Sequence, residues 1–283
     1  MFQRLSNSWE LAKASAAVLR SDKELVVFPI VSAVGSLIVL ATFAVPMFLA
    51  GMFDSMYVDG EGFQPLSILV AFLFYLVQYT VIFFANTALV GAAMIRLQGG
   101  DPTVADGFRI ALQRIRPILG YALISATVGM LLRAVAERAG FVGRLIISLV
   151  GFAWNIATYL VVPVLAAEDI GPVDAIKRSS SLLKRTWGEQ LIGNGGLGAV
   201  FGLLMLGAVL IGVPLIALAI ALKSVVAVAL AIVLLVLALL ALGLISSTLT
   251  GIYTAAVYRY AALGELSGGF RPELVQGAFR VKR

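Results

Sequence analysis

The composition of this chain of 283 residues points to a membrane, because 61% of the residues are hydrophobic and only 13% are charged. Its mean hydropathy is +1.02. A soluble domain holds about a quarter charged residues and could not bury so much apolar surface. The net charge of +6 would favour nucleic acid as the partner of a soluble protein. Basic residues at the inner ends of membrane helices explain it here, so we expect no nucleic acid.

The sequence contains no cysteine and no histidine. Disulfides, thiolate metal sites and cysteine nucleophiles are therefore excluded, and the commonest metal ligand and proton shuttle is missing. All 15 acidic residues fall outside the centres of the spans predicted below, so no acid–base pair is available inside the bilayer. We therefore expect no enzyme activity, no metal site and no cofactor. A cleavable signal peptide is not expected, because the first long apolar run begins only near Leu25.

Six apolar stretches are long enough to cross a bilayer, which takes roughly 20 residues. They run from about 25 to 52, from 66 to 95, from 117 to 133 (or to 136 if Arg133 snorkels), from 142 to 166, and twice between 191 and 262. Ser21 to Glu24 has the capping-box pattern of a helix start, and the last turn is predicted at Lys223 and Ser224. The predicted fold class is all-α: a polytopic membrane helix bundle with six transmembrane helices, forming one domain over residues 1–283.

The basic residues are distributed unevenly between the predicted loops. Four of the 21 would lie in the outer loops, and the other 17 would lie inside. The outer four are Arg133, Arg138, Arg144 and Lys223. Cytoplasmic loops carry an excess of Lys and Arg, so this partition predicts that both the N-terminus and the C-terminus face the cytoplasm. A seventh span would export the basic tail, which is why six spans are preferred.

Three polar segments on the inner side are predicted to be amphipathic helices lying along the membrane surface: 3–20, 103–116 and 172–187. Thr103 and Asp106 are placed as a capping box, and Pro172 suits a first helical turn. The apolar stripes are Leu5, Trp9, Ala12, Ala16 and Leu19; then Val104, Phe108, Ala111 and Ile115; then Val173, Ile176, Leu183 and Trp187.

Each amphipathic segment is followed by two spans, so the chain could hold three copies of one unit. The units would be 1–98, 99–167 and 168–262, followed by a cytoplasmic tail, 263–283. Gly107-Phe108-Arg109 recurs as Gly269-Phe270-Arg271. Basic amphipathic helices beside spans are common in membrane proteins, so a structural repeat and a chance recurrence both stay open.

Uncharged polar residues enter the spans at Gln78, Asn86, Asn155 and Asn194. The interpretation we favour is hydrogen bonding between helices inside the bundle, worth roughly 0.6–2 kcal/mol each. The alternative is the polar lining of a pore or substrate cavity. Gly198 and Gly202 form a GxxxG that would permit close approach of a helix from this chain or another. Three prolines are expected to bend or end helices: Pro46, Pro163 and Pro214.

The third amphipathic segment carries two pairs of cations seven residues apart, which places each pair on nearly the same side two turns later. They are Lys177, Arg178, Lys184 and Arg185. We predict that these four bind the headgroups of anionic lipids. Asp174, Glu168 and Asp169 lie nearby, so the alternative is pairing within the chain, with little lipid contact.

Three segments together carry a family resemblance: 96–103 with Gly107, 121–129, and 177–180 with 186–189. They resemble an uncharacterised family of prokaryotic polytopic membrane proteins, known only as a domain of unknown function, over nearly the whole chain. The region 168–190 is distantly similar to the membrane domain of some glycerophosphodiester phosphodiesterases, whose catalytic domain this chain lacks. The resemblance implies a multi-pass protein of the prokaryotic cell (inner) membrane and supplies no site.

The leading functional hypothesis is a non-enzymatic membrane protein that binds anionic lipid or a membrane protein partner, including a second copy of itself in a homo-oligomer. The basic segments motivate this hypothesis, since each Lys or Arg near an anionic leaflet contributes about 1 kcal/mol. The alternative is a transporter or channel for a small or lipid-like solute, motivated by the polar span residues and the possible repeats.

Overall fold

The computed structural model describes residues 2–49, 65–187 and 196–265, and within these ranges the chain is helical, without strands. The α-helices are α1 (Phe2–Ser21), α2 (Val27–Leu49), α3 (Pro65–Leu97), α4 (Val104–Gln113), α5 (Ile115–Arg138), α6 (Phe141–Ala157), α7 (Val161–Ala167), α8 (Pro172–Trp187), α9 (Gly196–Ala221) and α10 (Val225–Leu263). A short 3₁₀ helix, Lys23–Val26, leads into α2.

Six helical segments of the described chain are long and apolar enough to cross a membrane, which confirms the predicted all-α bundle. They are Lys23–Leu49, Leu66–Leu97, Ile115–Arg138, Phe141–Ala167, Val200–Ala221 and Val225–Leu263. Large apolar side chains such as Leu37, Phe48, Leu210 and Val225 are exposed on them. An aqueous surface would not tolerate so many exposed apolar groups, whereas lipid would solvate them.

The turn between the last two spans lies where the sequence placed it. Lys223 adopts the left-handed conformation, with φ of 52°, which reverses the chain after α9. The Ser224 side chain then accepts a hydrogen bond of 3.2 Å from the Ala227 N–H and caps α10. A polar cap residue therefore marks this turn without any Pro-Gly or Asn-Gly pair.

The described residues form two compact units, each of which we describe by itself. The terminal unit holds 2–26, 93–101, 186–187 and 196–265, and the central unit holds 27–49, 65–92 and 102–185. In the terminal unit α1 contacts both α9 and α10, which also contact each other. In the central unit α4 contacts α5, and α5 contacts α6. The prediction of a single domain with three repeat units stays a prediction.

The three segments predicted to be amphipathic helices are helices, as α1, α4 and α8, whereas their position at the membrane surface stays a prediction. The capping box of α4 is confirmed, because the Thr103 hydroxyl accepts from the Asp106 N–H and Asp106 accepts from the Thr103 N–H. Pro172 is the first residue of α8, as its missing N–H favours.

The predicted apolar stripes coincide only in part with the faces by which α1 and α8 pack inside the protein. Ser15 on α1 and Ser179 on α8 are fully buried, whereas Trp9 and Val173 from the predicted apolar stripes are exposed. The other buried residues are Leu11, Ala12 and Val18 on α1 and Ala175, Leu182 and Leu183 on α8, and of these Ala12 and Leu183 belong to the predicted stripes. Small and hydroxyl side chains let helices approach closely in a bundle, so the apolar stripes identified only part of the packed side.

The capping box predicted at Ser21 to Glu24 is wrong. Helix α1 continues through Ser21, whose hydroxyl donates to the Val18 carbonyl over 2.7 Å. The next residue, Asp22, accepts a hydrogen bond from the backbone N–H of Glu24 and so caps the 3₁₀ turn instead. The cap residue is therefore one position later than the pattern indicated.

Candidate functional sites

The fourth predicted span is interrupted in the structure. Residues 142–166 were predicted as one helix, but α6 ends at Ala157 and α7 begins at Val161, with a turn at Thr158–Leu160 between them. Pro163 explains the break, because it lacks the N–H that would bond the Tyr159 carbonyl one turn earlier. The other two prolines, Pro46 and Pro214, lie inside the helices α2 and α9 and do not end them, so a bend at these positions stays a prediction.

Helix α8 satisfies backbone groups at this break. The Leu160 N–H donates to the buried Ser179 hydroxyl over 3.0 Å. The neighbouring Ser180 hydroxyl donates to the Ala157 carbonyl over 3.3 Å, in addition to the Ile176 carbonyl in its own helix. Irregular backbone at membrane depth is tolerated only where protein or water satisfies it. A Ser-Ser pair of α8 therefore holds the interrupted span.

Further polar groups of the central unit lie beside the break. The Tyr121 hydroxyl on α5 lies close to the hydroxyls of Thr158 and Ser125. The Tyr121 ring stacks on Phe83, with centroids 4.5 Å apart. The Ser125 oxygen is buried and makes no hydrogen bond with a described residue. This arrangement could hold a small polar group of a ligand. In the sequence these residues appear only as isolated hydroxyl side chains, with no pattern that predicts the arrangement.

The turn before α8 is fixed by two arginines. Arg178 Nε donates to both carboxylate oxygens of Glu168, at 3.0 and 3.2 Å. Arg114, at the junction of α4 and α5, pairs with Asp169. Two adjacent carboxylates are thus held by cations from different helices, which sets the direction in which α8 leaves the fourth span.

The predicted headgroup residues of α8 do not share one environment. Lys177 has a side chain that is 73% exposed and pairs with Asp174 over 3.3 Å, a weak surface contact. Lys184 and Arg185 are exposed, whereas Arg178 is engaged with Glu168. At 3.6 residues per turn, Lys177 and Lys184 fall roughly 180° around the helix from the buried Ala175. These two lysines, called the outward edge below, therefore point away from the protein.

The predicted intramembrane polar residues are scattered. Gln78 is half-buried, and its side-chain oxygen has no hydrogen-bond partner among the described residues. Asn86 is half-buried, Asn155 is exposed, and Asn194 lies outside the described residues. The structure does not bring the described three into one cluster, so their role stays a prediction.

Aromatic rings follow one face of α3 at helical spacing. Tyr75 stacks on Tyr79 and Tyr79 on Phe83, with centroid separations of 6.1 and 5.6 Å. Arg133 Nη1 donates to the Tyr75 hydroxyl over 3.1 Å, and its Nε donates to Glu137 over 3.0 Å. Arg133 and Glu137 thus form an i,i+4 ion pair on α5. The spacing of the rings could have predicted the aromatic row.

A polar cluster lies near the end of α1 in the terminal unit. Arg96 donates to the Ser21 carbonyl over 2.8 Å, to the Gly100 carbonyl over 3.2 Å and to Asp101 over 2.9 Å. Burial raises the pKa of the neighbouring Asp22 carboxyl, an effect that the positive charge of Arg96 only partly offsets. One Asp22 oxygen has no partner among the described residues.

The glycines that matter for packing are not those of the GxxxG. A Cβ at Gly107 would lie 2.4 Å from the Phe28 ring and 2.8 Å from the Ala88 carbonyl oxygen. At Gly198 and Gly202 it would meet no described atom within 4 Å. No close approach of another described helix therefore uses the GxxxG. In the described residues no group of three or more acidic side chains is placed to hold a metal ion.

These observations identify the chain as a polytopic helical membrane protein, in which one of the described spans is interrupted. The chain belongs to the Family of unknown function (DUF6159), whose model matches residues 66–269. The match begins with α3 and covers every element named above except α1, the 3₁₀ helix and α2. No curated protein matches the chain. No solved structure matches it either.

Proposed function

We propose that this protein is a non-enzymatic membrane protein that binds anionic lipid through the outward edge of α8, Lys177 and Lys184. The observation that carries the proposal is the two-sided character of α8. Ser179 and Leu182 are buried on one side, whereas Lys177 and Lys184 are exposed on the opposite side. A helix held in this way offers its cations at a fixed position.

The expected free energy of lipid binding at the outward edge is modest. Each Lys or Arg near an anionic leaflet contributes about 1 kcal/mol. Asp174 lies beside Lys177 and reduces the local charge, but this pair is exposed and therefore weak. Salt should weaken the binding, because the Debye length is only about 8 Å at physiological ionic strength.

The proposal includes a location and an orientation. We place the protein in the inner membrane of a prokaryotic cell, with both termini and α8 on the cytoplasmic side. The uneven distribution of Lys and Arg supports this orientation, since 17 of the 21 basic residues would then lie inside. The cytoplasmic leaflet is also the one whose surface potential attracts basic segments.

The test is native mass spectrometry of the lipids that co-purify with the protein. The variant Lys177→Gln/Lys184→Gln should retain several-fold less phosphatidylglycerol than the wild type. It spares Arg178, whose removal would break the two hydrogen bonds from its Nε to the half-buried Glu168. The matched control is Arg144→Gln/Lys223→Gln, which removes the same charge from two predicted outer positions and should retain wild-type lipid. Equal retention in both variants would contradict the proposal.

A second candidate function, transport of a small or lipid-like solute, is favoured by the break at Thr158–Leu160. Interrupted spans with polar neighbours are where membrane transporters bind their substrates. Proteoliposome swelling with polar solutes of graded size tests this candidate. Swelling that depends on the protein and falls in Ser125→Ala would favour transport. The absence of any protein-dependent flux would leave lipid binding as the function.

A further inference from the structure

The terminal unit buries a cation that has too few partners. Arg259, near the end of α10, is only 6% exposed. Its Nη2 donates to Glu265 over 2.7 Å, but the side chain of that glutamate is 61% exposed. The Nε and Nη1 atoms are buried and have no hydrogen-bond partner among the described residues.

The chemistry of arginine makes this arrangement costly without a ligand. A guanidinium carries five N–H donors and is not deprotonated in proteins, so Arg259 cannot shed its charge as a buried lysine would. A buried donor without a partner destabilises the folded protein, and a charged donor does so more strongly. A single pair with an exposed carboxylate leaves most of these donors unsatisfied. The side chain therefore requires a further acceptor.

The position of Arg259 is compatible with an anion from water or from the headgroup layer. Helix α10 has 39 residues, so it is about 58 Å long, whereas the hydrocarbon core is about 30 Å thick. Its second half is the buried half, and the neighbours of Arg259 include the buried Val257, Tyr258 and Ala261. The guanidinium is thus shielded by protein rather than by lipid tails.

We propose that Arg259 binds a phosphate group, through the Nε and Nη1 donors that Glu265 leaves unused. A tetrahedral phosphate offers several oxygens to a planar guanidinium, which is why arginine is favoured for phosphate recognition. The group belongs either to a phospholipid headgroup or to a soluble phosphate. This site does not rest on the lipid-binding proposal for α8, because Arg259 lies in the terminal unit and the outward edge in the central unit.

The experiment measures thermal unfolding of the full chain in detergent, followed by the fluorescence of its three tryptophans. One arm titrates inorganic phosphate against chloride at constant ionic strength. The other arm compares phosphatidylglycerol with diacylglycerol of the same chains, which lacks the phosphate. The wild type should be stabilised by a phosphate-bearing ligand. A response to inorganic phosphate identifies a soluble source, and a response to phosphatidylglycerol alone identifies a lipid.

The variants locate the response at Arg259. Arg259→Gln should bind the ligand about tenfold more weakly, as the loss of a charged hydrogen bond predicts. Arg259→Lys keeps the charge, loses the planar fork, and should also bind several-fold more weakly. Arg259→Lys replaces Arg259→Gln as the test variant if the Gln variant does not fold. Arg109→Gln, which removes an exposed cation of the central unit, is the control and should respond as the wild type does.

Two results would overturn the proposal. The first is an equal ligand response in the wild type and in both Arg259 variants. The second is a wild type that responds to neither ligand.

Discussion

Helices α4 and α8 are both short amphipathic helices of the central unit, but they are held in different ways. Helix α4 is positioned by steric fit. Gly107 leaves room for the Phe28 ring, which also packs on the Phe108 ring with centroids 5.2 Å apart. Helix α8 is held by hydrogen bonds, from the Leu160 N–H to Ser179 and from Ser180 to the Ala157 carbonyl.

These two attachments show which interactions position a helix in a protein that lipid surrounds. Lipid tails are as apolar as leucine, so burying a large apolar side chain gives little preference for protein over lipid. Steric fit and hydrogen bonding then decide which side of a helix faces the protein. Both devices use small residues, such as Gly107 in α4 and Ser179 in α8. Large apolar residues occur on both sides of such a helix: on α8, Leu182 is buried and Val173 is exposed.

The largest expected effect comes from breaking the steric contact of α4. Gly107→Val should destabilise the protein by about 1–3 kcal/mol or more, because the added atoms overlap the Phe28 ring and a backbone carbonyl. Gly202→Val, at an open position of α9, is the matched control and should cost less than about 1 kcal/mol. Equilibrium unfolding in mixed micelles measures both, and equal losses would refute the steric account.

The hydrogen-bonded attachment of α8 should be next in size. Ser179→Ala leaves the Leu160 N–H buried without its acceptor, which should cost about 1–3 kcal/mol in the same unfolding assay. Ser181→Ala changes an exposed serine of the same helix and should be within about 0.5 kcal/mol of the wild type. A neutral Ser179→Ala would mean that the break at Thr158–Leu160 is satisfied in another way.

The comparison extends to the end of α1, where the buried carboxyl of Asp22 should make the free energy of unfolding depend on pH. Burial raises its pKa above the ordinary 3.8, so the folded state favours the protonated acid. The stability that the protonated Asp22 carboxyl contributes is therefore fully present below pH 3.8. This contribution is lost as the pH rises through the raised pKa. Asp22→Asn should be more stable than the wild type at pH 7. Melting curves across pH should show this gain shrinking toward pH 4, and a constant difference would contradict the assignment.

The smallest expected effect is at the outward edge of α8. Lys177→Gln should change the free energy of unfolding by less than about 0.5 kcal/mol, because its pair with Asp174 is exposed. The same micelle unfolding assay checks this value. A larger loss would mean that reduced lipid retention in the Lys177→Gln/Lys184→Gln variant reflects unfolding rather than a lost lipid contact.

The sequence predicted the helices better than their faces. Runs of about 20 apolar residues predicted all six spans, and the polar Lys223 and Ser224 predicted the last turn. The break in the fourth span was missed, although Pro163 is visible in the sequence, because the hydrogen bonds that tolerate it come from Ser179, 19 residues from Leu160.

The environments of Arg96 and Arg259 were missed for a related reason. In the sequence both arginines were interpreted only as cations that set orientation. The burial of Arg259 and the hydrogen bonds of both arginines depend on which helices meet, and hydropathy does not contain that information. Residues 50–64, 188–195 and 266–283, including Asn194, lie outside the described structure, so predictions there stay predictions.

The central claim is a six-span protein with α8 on the cytoplasmic side, and single-cysteine labelling tests it most directly. The chain has no cysteine, so Lys184→Cys and Lys223→Cys each provide one thiol without background. Both residues are exposed. The reagent is a membrane-impermeant maleimide, added to cells whose outer wall is permeable or removed and whose inner membrane is intact. It should label Lys223→Cys at once and Lys184→Cys only after lysis. Labelling of both thiols from the same side would contradict the account.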